Sequence, residues 1–353
     1  MQLDETAVSN ITQDESVVVY PTMAHLAPDG KHWMLNIHGC VFETVPHNFS
    51  RKILLQLLAR IMQASPEDLE SEVFKKHIHG FVVHQHAGKQ IAVRIGDNIY
   101  RLKKKTKKNG QFNGKIKISV NETERLVRQS EDGKTVHFSV VAPDHQPQKF
   151  LGNVQPIQSE GISIISDIDD TVKHTDVSSK RAMLNNTFLK EFQTIPGIVE
   201  LYQQWQQQGA DFHYVTSSPW QLYDSLAGLF ERTGVPLGSF HMKSVRFRDP
   251  TILRLFIARR LGKRRTIKQI IKTFPKRKFI LVGDSGEKDP ETYGAMARRF
   301  PDQIERIYIR DLGGKNSNST RYEKAFRKIP DDVCQIFEKP EELSIDLSGT
   351  LNP

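Results

Sequence analysis

The chain has 353 residues, of which 38% are hydrophobic and 26% charged, and it contains two cysteines. This composition excludes collagen-like, disulfide-scaffold and wholly disordered proteins, and at roughly 150 residues per domain the length favours two domains. The formal net charge of +9 indicates an anionic partner without identifying it. No apolar stretch approaches the roughly 20 residues that cross a bilayer, and the first five residues lack the parts of a signal peptide. We therefore expect a cytoplasmic protein.

The first part of the chain predicts a small, β-rich, sandwich-like domain over residues 1–150. Apolar residues recur at even spacing from Ile91 to Ile99 and again from Phe112 to Val120, which is typical of half-buried antiparallel strands. Asn109-Gly110 is a turn signal between these two segments. One helix interrupts the strands, because apolar residues recur at helical spacing between Ile53 and Ile61.

The second part of the chain has a different periodicity. Residues 151–160 are expected to be a linker, since the Pro- and Gln-containing stretch over residues 143–159 shows no period. Apolar strands then alternate with helical stripes over residues 161–340, and residues 341–353 remain as a tail. This alternation predicts an α/β fold with a Rossmann-like parallel sheet and helices on both faces. Ligands of such sheets bind beyond the carboxyl ends of the strands.

Acidic residues follow two of the predicted strands of this second domain. Asp167 and Asp169 come directly after one apolar strand, and Asp284 and Asp289 come after another. Four carboxylates placed together without a cation would raise one another's pKa, so the pattern favours a hard divalent ion among them. We predict Mg²⁺ with these four residues as its ligands, Asp169 through its backbone carbonyl.

The same residues suit phosphoryl transfer. A carboxylate beside Mg²⁺ can attack phosphorus, which makes Asp167 the candidate nucleophile of an aspartyl-phosphate mechanism. Asp169, two positions further on, can protonate the leaving oxygen and later accept a proton from water. Thr216 follows another strand, where its hydroxyl suits a phosphoryl oxygen. Lys263 is the candidate cation against the charge on the phosphoryl oxygens.

Several other residues are candidates for contacts with the substrate. Three hydroxyl side chains adjoin the motifs: Thr171, Ser217 and Ser218. Three basic residues are near enough in sequence to compete with Lys263: Arg264, Arg265 and Lys268. Each motif taken alone also fits a purely structural role, as a solvated turn or an ordinary helix cap. Only the combination of two acidic clusters after independent strands, in this order, favours catalysis.

The order of these motifs resembles that of the haloacid dehalogenase-like (HAD-like) phosphohydrolase superfamily. Three segments are similar, more narrowly, to the catalytic domain of the actin-patch-associated phosphatidate phosphatase family, which is related to the lipins: residues 166–173, 212–223 and 278–289. The resemblance covers about Gly161 to Asp311. Many members of the superfamily have Gly where this chain has Asp170, whereas the narrower family has Asp. This departure disfavours a generic small-molecule phosphatase.

The resemblance implies that the domain removes phosphate from phosphatidate, with Mg²⁺ as cofactor, to give diacylglycerol. It also implies the family's role for each matching residue: Asp167 as nucleophile, Asp169 as acid and base, Thr216 as phosphate contact, Lys263 as cation, and Asp284 and Asp289 as metal ligands. Two alternatives stay open. One is a HAD-like phosphatase of a soluble phosphoester. The other is a non-catalytic module that binds phosphatidate, which has no need of a nucleophile or an acid.

Basic residues concentrate in one part of the sequence. Residues 243–278 contain 14 Lys and Arg residues and one acidic residue. Within them, residues 251–265 suit a helix that lies on anionic lipid, or a surface helix with a solvated basic face. We expect a phospholipid substrate, peripheral contact with an anionic membrane, and no specific nucleic acid, since aromatic residues are sparse there. The basic run at 101–108 is expected to be a solvated hairpin end, and the four histidines between 77 and 86 are expected on a strand, without metal.

Overall fold

The computed structural model describes residues 2–4, 6–44, 49–144, 146–244, 262–313, 319–344 and 346–347. The predicted basic helix at 251–265 lies outside these described residues except for its last four positions. Where the chain is described, no helix combines the length and the hydropathy that crossing a bilayer requires.

The N-terminal part forms one mixed sheet of short strands. Its order is β1-β7-β6-β9-β10-β3-β4-β2, with β5 and β8 also paired to β4, and its pairs are antiparallel except for β10 with β3. The strands are β1 (Gln2–Leu3), β2 (Glu15–Val19), β3 (Thr22–Leu26), β4 (His32–Glu43), β5 (His84–Gln85), β6 (Ala92–Ile95), β7 (Asn98–Arg101), β8 (Gln111–Ser119), β9 (Val136–Val140) and β10 (Leu151–Pro156).

Side chains alternate between buried and more exposed positions along β4, and this alternation defines the buried face of the sheet. Trp33, Leu35 and Ile37 of β4 lie in the core, and β8 places Ile116 and Ile118 in the same core. Apolar side chains of β2, β6, β9 and β10 complete one cluster. The predicted β-rich part is therefore present as a single continuous sheet in the described residues.

Four helices accompany this sheet: α1 (Phe49–Met62), α2 (Pro66–Glu70), α3 (Glu72–Val82) and α4 (Val120–Gln129). The expectation that the histidines at 77 and 79 lie on a strand is wrong, because both belong to α3. Ser71 caps α3 by accepting a hydrogen bond from the Phe74 N–H at 3.2 Å. The buried side chains of α1 and α3 pack with the second domain rather than with the core of the N-terminal sheet.

Two predicted boundary segments have more structure than expected. Residues 151–156 of the predicted linker form β10, because the N-terminal sheet offers β3 and β9 as hydrogen-bonding partners. In the predicted tail, Leu343 and Leu347 are buried, and the Trp205 indole N–H donates to the Ser344 carbonyl at 3.1 Å. Both segments pack as parts of folded structure, and the domain boundaries themselves stay a prediction.

The second domain is a doubly wound α/β domain. Its six parallel strands lie in the order β13-β12-β11-β14-β15-β16. Successive strands are therefore added on one side of β11 up to β13 and on its other side from β14 onward, so the strand order reverses between β11 and β14. The strands are β11 (Ile162–Ser166), β12 (Asp211–Pro219), β13 (Gly238–Lys243), β14 (Lys278–Asp284), β15 (Ile304–Arg310) and β16 (Cys334–Phe337). This topology confirms the predicted fold class.

Helices cover both faces of this sheet. They are α5 (Lys180–Phe188), α6 (Ile198–Gln207), α7 (Tyr223–Thr233), α8 (Gly262–Thr273), α9 (Asp289–Arg299) and α10 (Ser319–Phe326). The buried side chains of α5, α6 and α7 form one apolar cluster, whereas those of α8 and α9 form another. Every residue of β11 is buried, as is typical of a central strand in a parallel sheet that helices cover on both faces. The reversal between β11 and β14 is the place where such sheets bind ligands.

Candidate active site

Three buried carboxylates meet at the carboxyl ends of β11 and β14. Asp167 follows β11, Asp284 ends β14, and Asp289 begins α9. One oxygen atom of each residue lies within 4.8 Å of the others, and all three side chains are buried. The sequence predicted that these residues converge, and their spacing lets one small cation contact all three.

The chain after β14 is shaped to hold two of these carboxylates. Gly283 leaves room for Asp289, because a Cβ atom at Gly283 would collide with the Asp289 carboxylate and lie 2.8 Å from Cε2 of Tyr293. Asp284 Oδ1 accepts hydrogen bonds from the Gly286 N–H at 2.6 Å and the Glu287 N–H at 3.1 Å. These bonds orient the Asp284 carboxylate toward the site.

Lys263 is the cation of this cluster. Its Nζ lies 2.6 Å from Asp289 Oδ1, 3.0 Å from Asp167 Oδ1 and 3.8 Å from Glu287 Oε2. Burial opposes the charge of Lys263, but the Asp167 and Asp289 carboxylates outweigh burial and raise its pKa well above the ordinary value. Two of the basic residues that compete with it in the sequence are exposed instead: Arg264 and Arg265.

One ammonium group leaves this acidic cluster short of positive charge. Burial raises the pKa of Asp167 well above its ordinary value; Lys263 opposes this shift, and the neighbouring carboxylates add to it. Burial and the Asp289 carboxylate likewise raise the pKa of Asp284. Asp167 Oδ2 and Asp284 Oδ2 are buried and have no hydrogen-bond partner in the described part of the chain. Buried, unpartnered carboxylate oxygens are the donor set that a hard divalent cation prefers, so these residues fit Mg²⁺.

Asp169 has different surroundings, although it is only two residues from Asp167. Its Oδ1 accepts from the Thr175 hydroxyl at 2.9 Å and lies 3.1 Å from Lys173 Nζ; its Oδ2 accepts from the hydroxyls of Thr216 at 3.0 Å and Ser218 at 2.6 Å. Burial alone would raise its pKa, but Lys173 and these hydrogen bonds lower the pKa to about 2. The Asp169 carboxylate is outside the three-residue metal group, so the backbone carbonyl stays its predicted metal ligand.

The hydroxyl candidates divide into three positions. Thr216 and Ser218 hold Asp169, and the Ser218 N–H also donates to Thr216 Oγ1 at 3.0 Å. Ser217 instead donates to Glu287 Oε2 at 3.0 Å, on the side of Lys263. The Thr171 hydroxyl is buried without a hydrogen-bond partner among the described residues. Substrate binding by these residues therefore stays a prediction.

Sequence reasoning missed two polar residues beside Asp169. Lys173 is buried, donates to the Thr175 hydroxyl at 2.7 Å, and lies 4.5 Å from the centre of the Phe192 ring. Thr175 connects Lys173 to Asp169. The available signal was proximity, since both residues follow the acidic motif within six positions. A single lysine after an acidic turn is ordinarily solvated, so the sequence alone does not indicate its burial.

Asp170 supports the turn that presents these side chains. Its φ angle of 57° is in the left-handed region, where glycine is the usual residue. Asp170 Oδ1 accepts from the backbone N–H groups of Thr175 and Asp176, each at 2.8 Å, and Oδ2 accepts from that of Val177 at 2.7 Å. Arg310 donates to the Asp170 carbonyl at 2.9 Å. The carboxylate thus closes the loop over residues 170–177.

The parallel sheet and the acidic cluster at its reversal point define a doubly wound α/β domain with a candidate cation site. Residues 162–311 match the family described as "Phosphatidate phosphatase APP1, catalytic domain". This match confirms the resemblance that the motifs of this segment predicted.

Comparison with known proteins gives two fungal relatives, each aligned over about half of this chain. The chain is 35% identical over 188 residues to Phosphatidate phosphatase APP1 of Saccharomyces cerevisiae, an alignment of 52% of this chain and 32% of that protein. It is 35% identical over 183 residues to an uncharacterized protein of Schizosaccharomyces pombe, covering 51% of this chain and 30% of that one. The chain therefore spans about a third of the length of these relatives.

A solved structure described as a proposed beta-phosphoglucomutase from Thermotoga maritima has 16% identity and a TM-score of 0.29, over 51% of this chain and 95% of that one.

Proposed function

We propose that the protein is a Mg²⁺-dependent phosphatidate phosphatase that works through a phosphorylated Asp167. One observation carries this proposal: Asp167, Asp284 and Asp289 share a buried site with Lys263, inside the segment that matches the phosphatidate phosphatase family. Mg²⁺ bound by the three carboxylates would supply the positive charge that reduces repulsion between a carboxylate nucleophile and an anionic phosphate.

In the first half-reaction, an ionised Asp167 oxygen attacks the phosphorus atom. The bond between phosphorus and the glycerol oxygen breaks, and protonated Asp169 donates its proton to that oxygen, so diacylglycerol leaves. Lys263, 3.0 Å from Asp167, favours the ionised nucleophile and interacts with the phosphoryl oxygens. Asp167 needs this help, because burial raises its pKa.

In the second half-reaction, the Asp169 carboxylate accepts a proton from water. The water oxygen forms a bond to phosphorus, the bond from phosphorus to Asp167 breaks, and inorganic phosphate leaves. Asp169 is ionised as it stands, because its pKa is lowered to about 2, so the form that accepts a proton is present.

The acid role of Asp169 in the first half-reaction requires a change in its hydrogen bonds. A Thr216 hydroxyl that turns from Asp169 to a phosphoryl oxygen removes one donor from the carboxylate. The incoming phosphate also brings negative charge close to Asp169. Both changes raise the pKa of Asp169, so substrate binding itself favours the protonated form.

The substrate and the cellular location complete the proposal. Phosphatidate is preferred because the family is described by that activity. We expect a cytoplasmic enzyme that contacts membranes peripherally, since phosphatidate lies in a bilayer. A soluble phosphoester as the substrate, or phosphatidate binding without hydrolysis, is the competing outcome of the experiment below.

The experiment measures phosphate release from phosphatidate vesicles and from soluble phosphoesters, each with and without Mg²⁺. We expect release from phosphatidate only with Mg²⁺, and none above background from Asp167→Asn, which keeps the shape of the side chain. The matched control is Asp302→Asn, an exposed aspartate far from the site in sequence, which should retain full activity. Activity that survives in Asp167→Asn contradicts the nucleophile, and faster release from soluble esters contradicts the substrate.

A further inference from the structure

A large groove lies where the two parts of the chain meet. Its volume is about 820 Å³, which is in the range of ligand sites. The N-terminal sheet supplies one wall through β3, β4, β8 and residues 103–107, and the second domain supplies the other through Trp220, β13 and α8. The Ser244 hydroxyl donates to Gln111 Oε1 at 2.5 Å and joins the two walls.

The groove is strongly basic. Lys103, Lys104, Lys107 and Lys115 line it, are exposed, and form no ion pair with any described residue. Lys117 also lines it but is ion-paired with an aspartate, Asp29, at 2.8 Å. No acidic residue is among its lining residues in the described ranges. The groove therefore carries uncompensated positive charge that suits an anion.

The loop that carries three of these lysines is held in place. Thr106, at its centre, is buried; its hydroxyl donates to the His86 carbonyl at 2.7 Å and accepts from the Lys89 N–H at 2.9 Å. The basic run predicted to be a solvated hairpin end is therefore anchored, with its lysines facing a groove. A ligand here would not have to order the loop backbone, which lowers the entropic cost of binding.

The groove also has an apolar lining and lies close to the candidate active site. Its lining includes Met34, Met242 and Ile270. Ile270 is seven residues after Lys263 on α8, so both lie on one face of the helix, about 10 Å apart along its axis. An elongated molecule with an anionic end and an apolar end matches this combination.

We propose that this groove binds one anionic phospholipid, with its phosphate-bearing headgroup against Lys103, Lys104 and Lys107 and an acyl chain against Met34, which is the partly exposed apolar side chain of the lining. The inference deepens the proposed function, because a lipid held here would place the active site at a membrane surface. Its binding step is nevertheless independent of chemistry at Asp167, so the two proposals can fail separately.

The test measures sedimentation of the full chain with phosphatidylcholine vesicles that contain or lack phosphatidylserine. Phosphatidylserine has no phosphomonoester, so it reports on the groove and not on hydrolysis. The groove variant is the triple substitution Lys103→Gln, Lys104→Gln and Lys107→Gln. The matched control removes the same charge from exposed lysines elsewhere: Lys52→Gln, Lys180→Gln and Lys190→Gln.

We expect the groove variant to bind phosphatidylserine vesicles about tenfold more weakly or worse, and the control to change by about twofold at most. Both should release phosphate from a soluble phosphoester at the wild-type rate, if the wild type does so. Equal losses in the two triple variants would reduce the effect to general charge attraction and overturn the proposal. So would a groove variant that binds as well as the wild type.

A second pair of variants tests the apolar half of the groove. Met34 is partly exposed on β4, so Met34→Glu places a carboxylate in the groove without disturbing the core, and Met34→Leu preserves its character. We expect weaker vesicle binding for Met34→Glu alone. Displacement of the protein from vesicles by millimolar inorganic phosphate would mean that the groove holds only an anion, and would overturn the acyl-chain contact.

Discussion

Asp170 combines an unfavourable backbone conformation with favourable hydrogen bonds. Its left-handed φ angle favours glycine, but glycine would lose the three hydrogen bonds that the carboxylate accepts from backbone N–H groups. We predict that Asp170→Ala, which keeps the strain and loses the bonds, is less stable than Asp170→Gly by about 1 kcal/mol, and that both are less stable than the wild type. Urea unfolding measures both differences. Equal stability of the two variants would show that the backbone angle carries no cost.

Lys173 stabilises the protein through the ionised form of Asp169. The pKa of Asp169 is lowered to about 2 in the fold, so its ionisation stabilises the fold above the unfolded pKa, and this contribution is lost as the pH falls toward 2. Lys173→Met removes the cation and should lower the free energy of unfolding at pH 7 by about 3 kcal/mol. The difference in unfolding free energy should shrink as the pH falls from about 4 toward 2, because the stabilising ionisation of Asp169 is progressively lost over that range.

Urea unfolding at pH 7, 4 and 3 tests this expectation. Lys76→Met serves as the control, because Lys76 is half-exposed and its ion pair with the exposed Glu191 is long, at 3.9 Å. It should cost little at any pH. A Lys173→Met deficit that stays constant from pH 7 to pH 3 would mean that packing against Phe192, and not the charge, accounts for the loss.

At the scale of secondary-structure elements, α10 contacts the loop of residues 285–288, between β14 and α9, from outside the candidate active site. Arg321 of α10 donates to the carbonyls of Ser285 and Glu287, each at 2.5 Å, and forms an ion pair with Glu291 at 2.9 Å. The same loop donates the two backbone N–H groups that orient Asp284. We therefore infer that Arg321 positions Asp284, a predicted metal ligand that it does not touch.

We predict that Arg321→Ala raises the Mg²⁺ concentration needed for half-maximal activity by about tenfold, as is usual when an outer partner of a metal ligand is removed. Lys324→Ala, on the exposed side of the same helix, is the matched control and should leave the requirement unchanged. Titration of activity with Mg²⁺ measures both. An Arg321→Ala variant with normal Mg²⁺ dependence but a lower rate at saturation would contradict the positioning role.

The elements also show how far the sequence could predict the structure. The α/β domain was predictable because its strands are short and mostly apolar and alternate with helical stripes. The acidic residues that follow β11 and end β14 lie close together because parallel strands end at one edge of the sheet. The helix α3 was overlooked although Phe74, Ile78 and Phe81 repeat at helical spacing. Strand β10 has little alternation, and only its neighbours β3 and β9 make it a strand.

The candidate site, like the fold, could be predicted only in part from the sequence. Asp167, Asp284, Asp289 and Lys263 were predictable from order and residue type, and the structure places them together. The separate surroundings of Asp169 were not, because they depend on side chains from β12 and from the loop after the acidic motif. Such contacts are long-range or depend on burial, and no local pattern encodes them.

At the scale of the whole molecule, the acidic cluster opposes folding when no cation is bound. Burial raises the pKa values of Asp167 and Asp284, so their ionisation destabilises the fold as the pH rises above the unfolded values. We predict that, in a metal chelator, Asp284→Asn is more stable than the wild type by about 1–3 kcal/mol at pH 8, and that the difference narrows toward pH 5.

Thermal unfolding in chelator and in Mg²⁺ measures this effect. Mg²⁺ should stabilise the wild type much more than Asp284→Asn, because the variant lacks a ligand. Asp302→Asn is again the exposed control. If Asp284→Asn is less stable than the wild type in chelator, the prediction is wrong. The hydrogen bonds that Asp284 accepts from the Gly286 and Glu287 N–H groups would then stabilise the fold more than its buried charge destabilises it.

One apolar cluster contains residues of both parts of the chain, which has consequences for how the molecule unfolds. Tyr20 of the N-terminal part stacks on Trp220 of the second domain with ring centres 3.9 Å apart, and α1 and α3 place Leu58 and Phe81 in the same cluster. The Phe240 N–H, on the edge strand β13, donates to the Pro21 carbonyl at 3.2 Å. The N-terminal part therefore covers both apolar surface and an otherwise open sheet edge.

We predict that the full chain unfolds in urea as one cooperative transition, and that a chain of residues 158–353 is several kcal/mol less stable or insoluble, because it exposes Trp220 and β13. Tryptophan fluorescence and far-UV circular dichroism should give coincident curves for the full chain. Trp220→Ala in the full chain should lower the free energy of unfolding by about 3 kcal/mol without splitting the transition. Two separate transitions, or a truncated chain as stable as the full one, would show that the second domain folds independently and that the shared core contributes little to its stability.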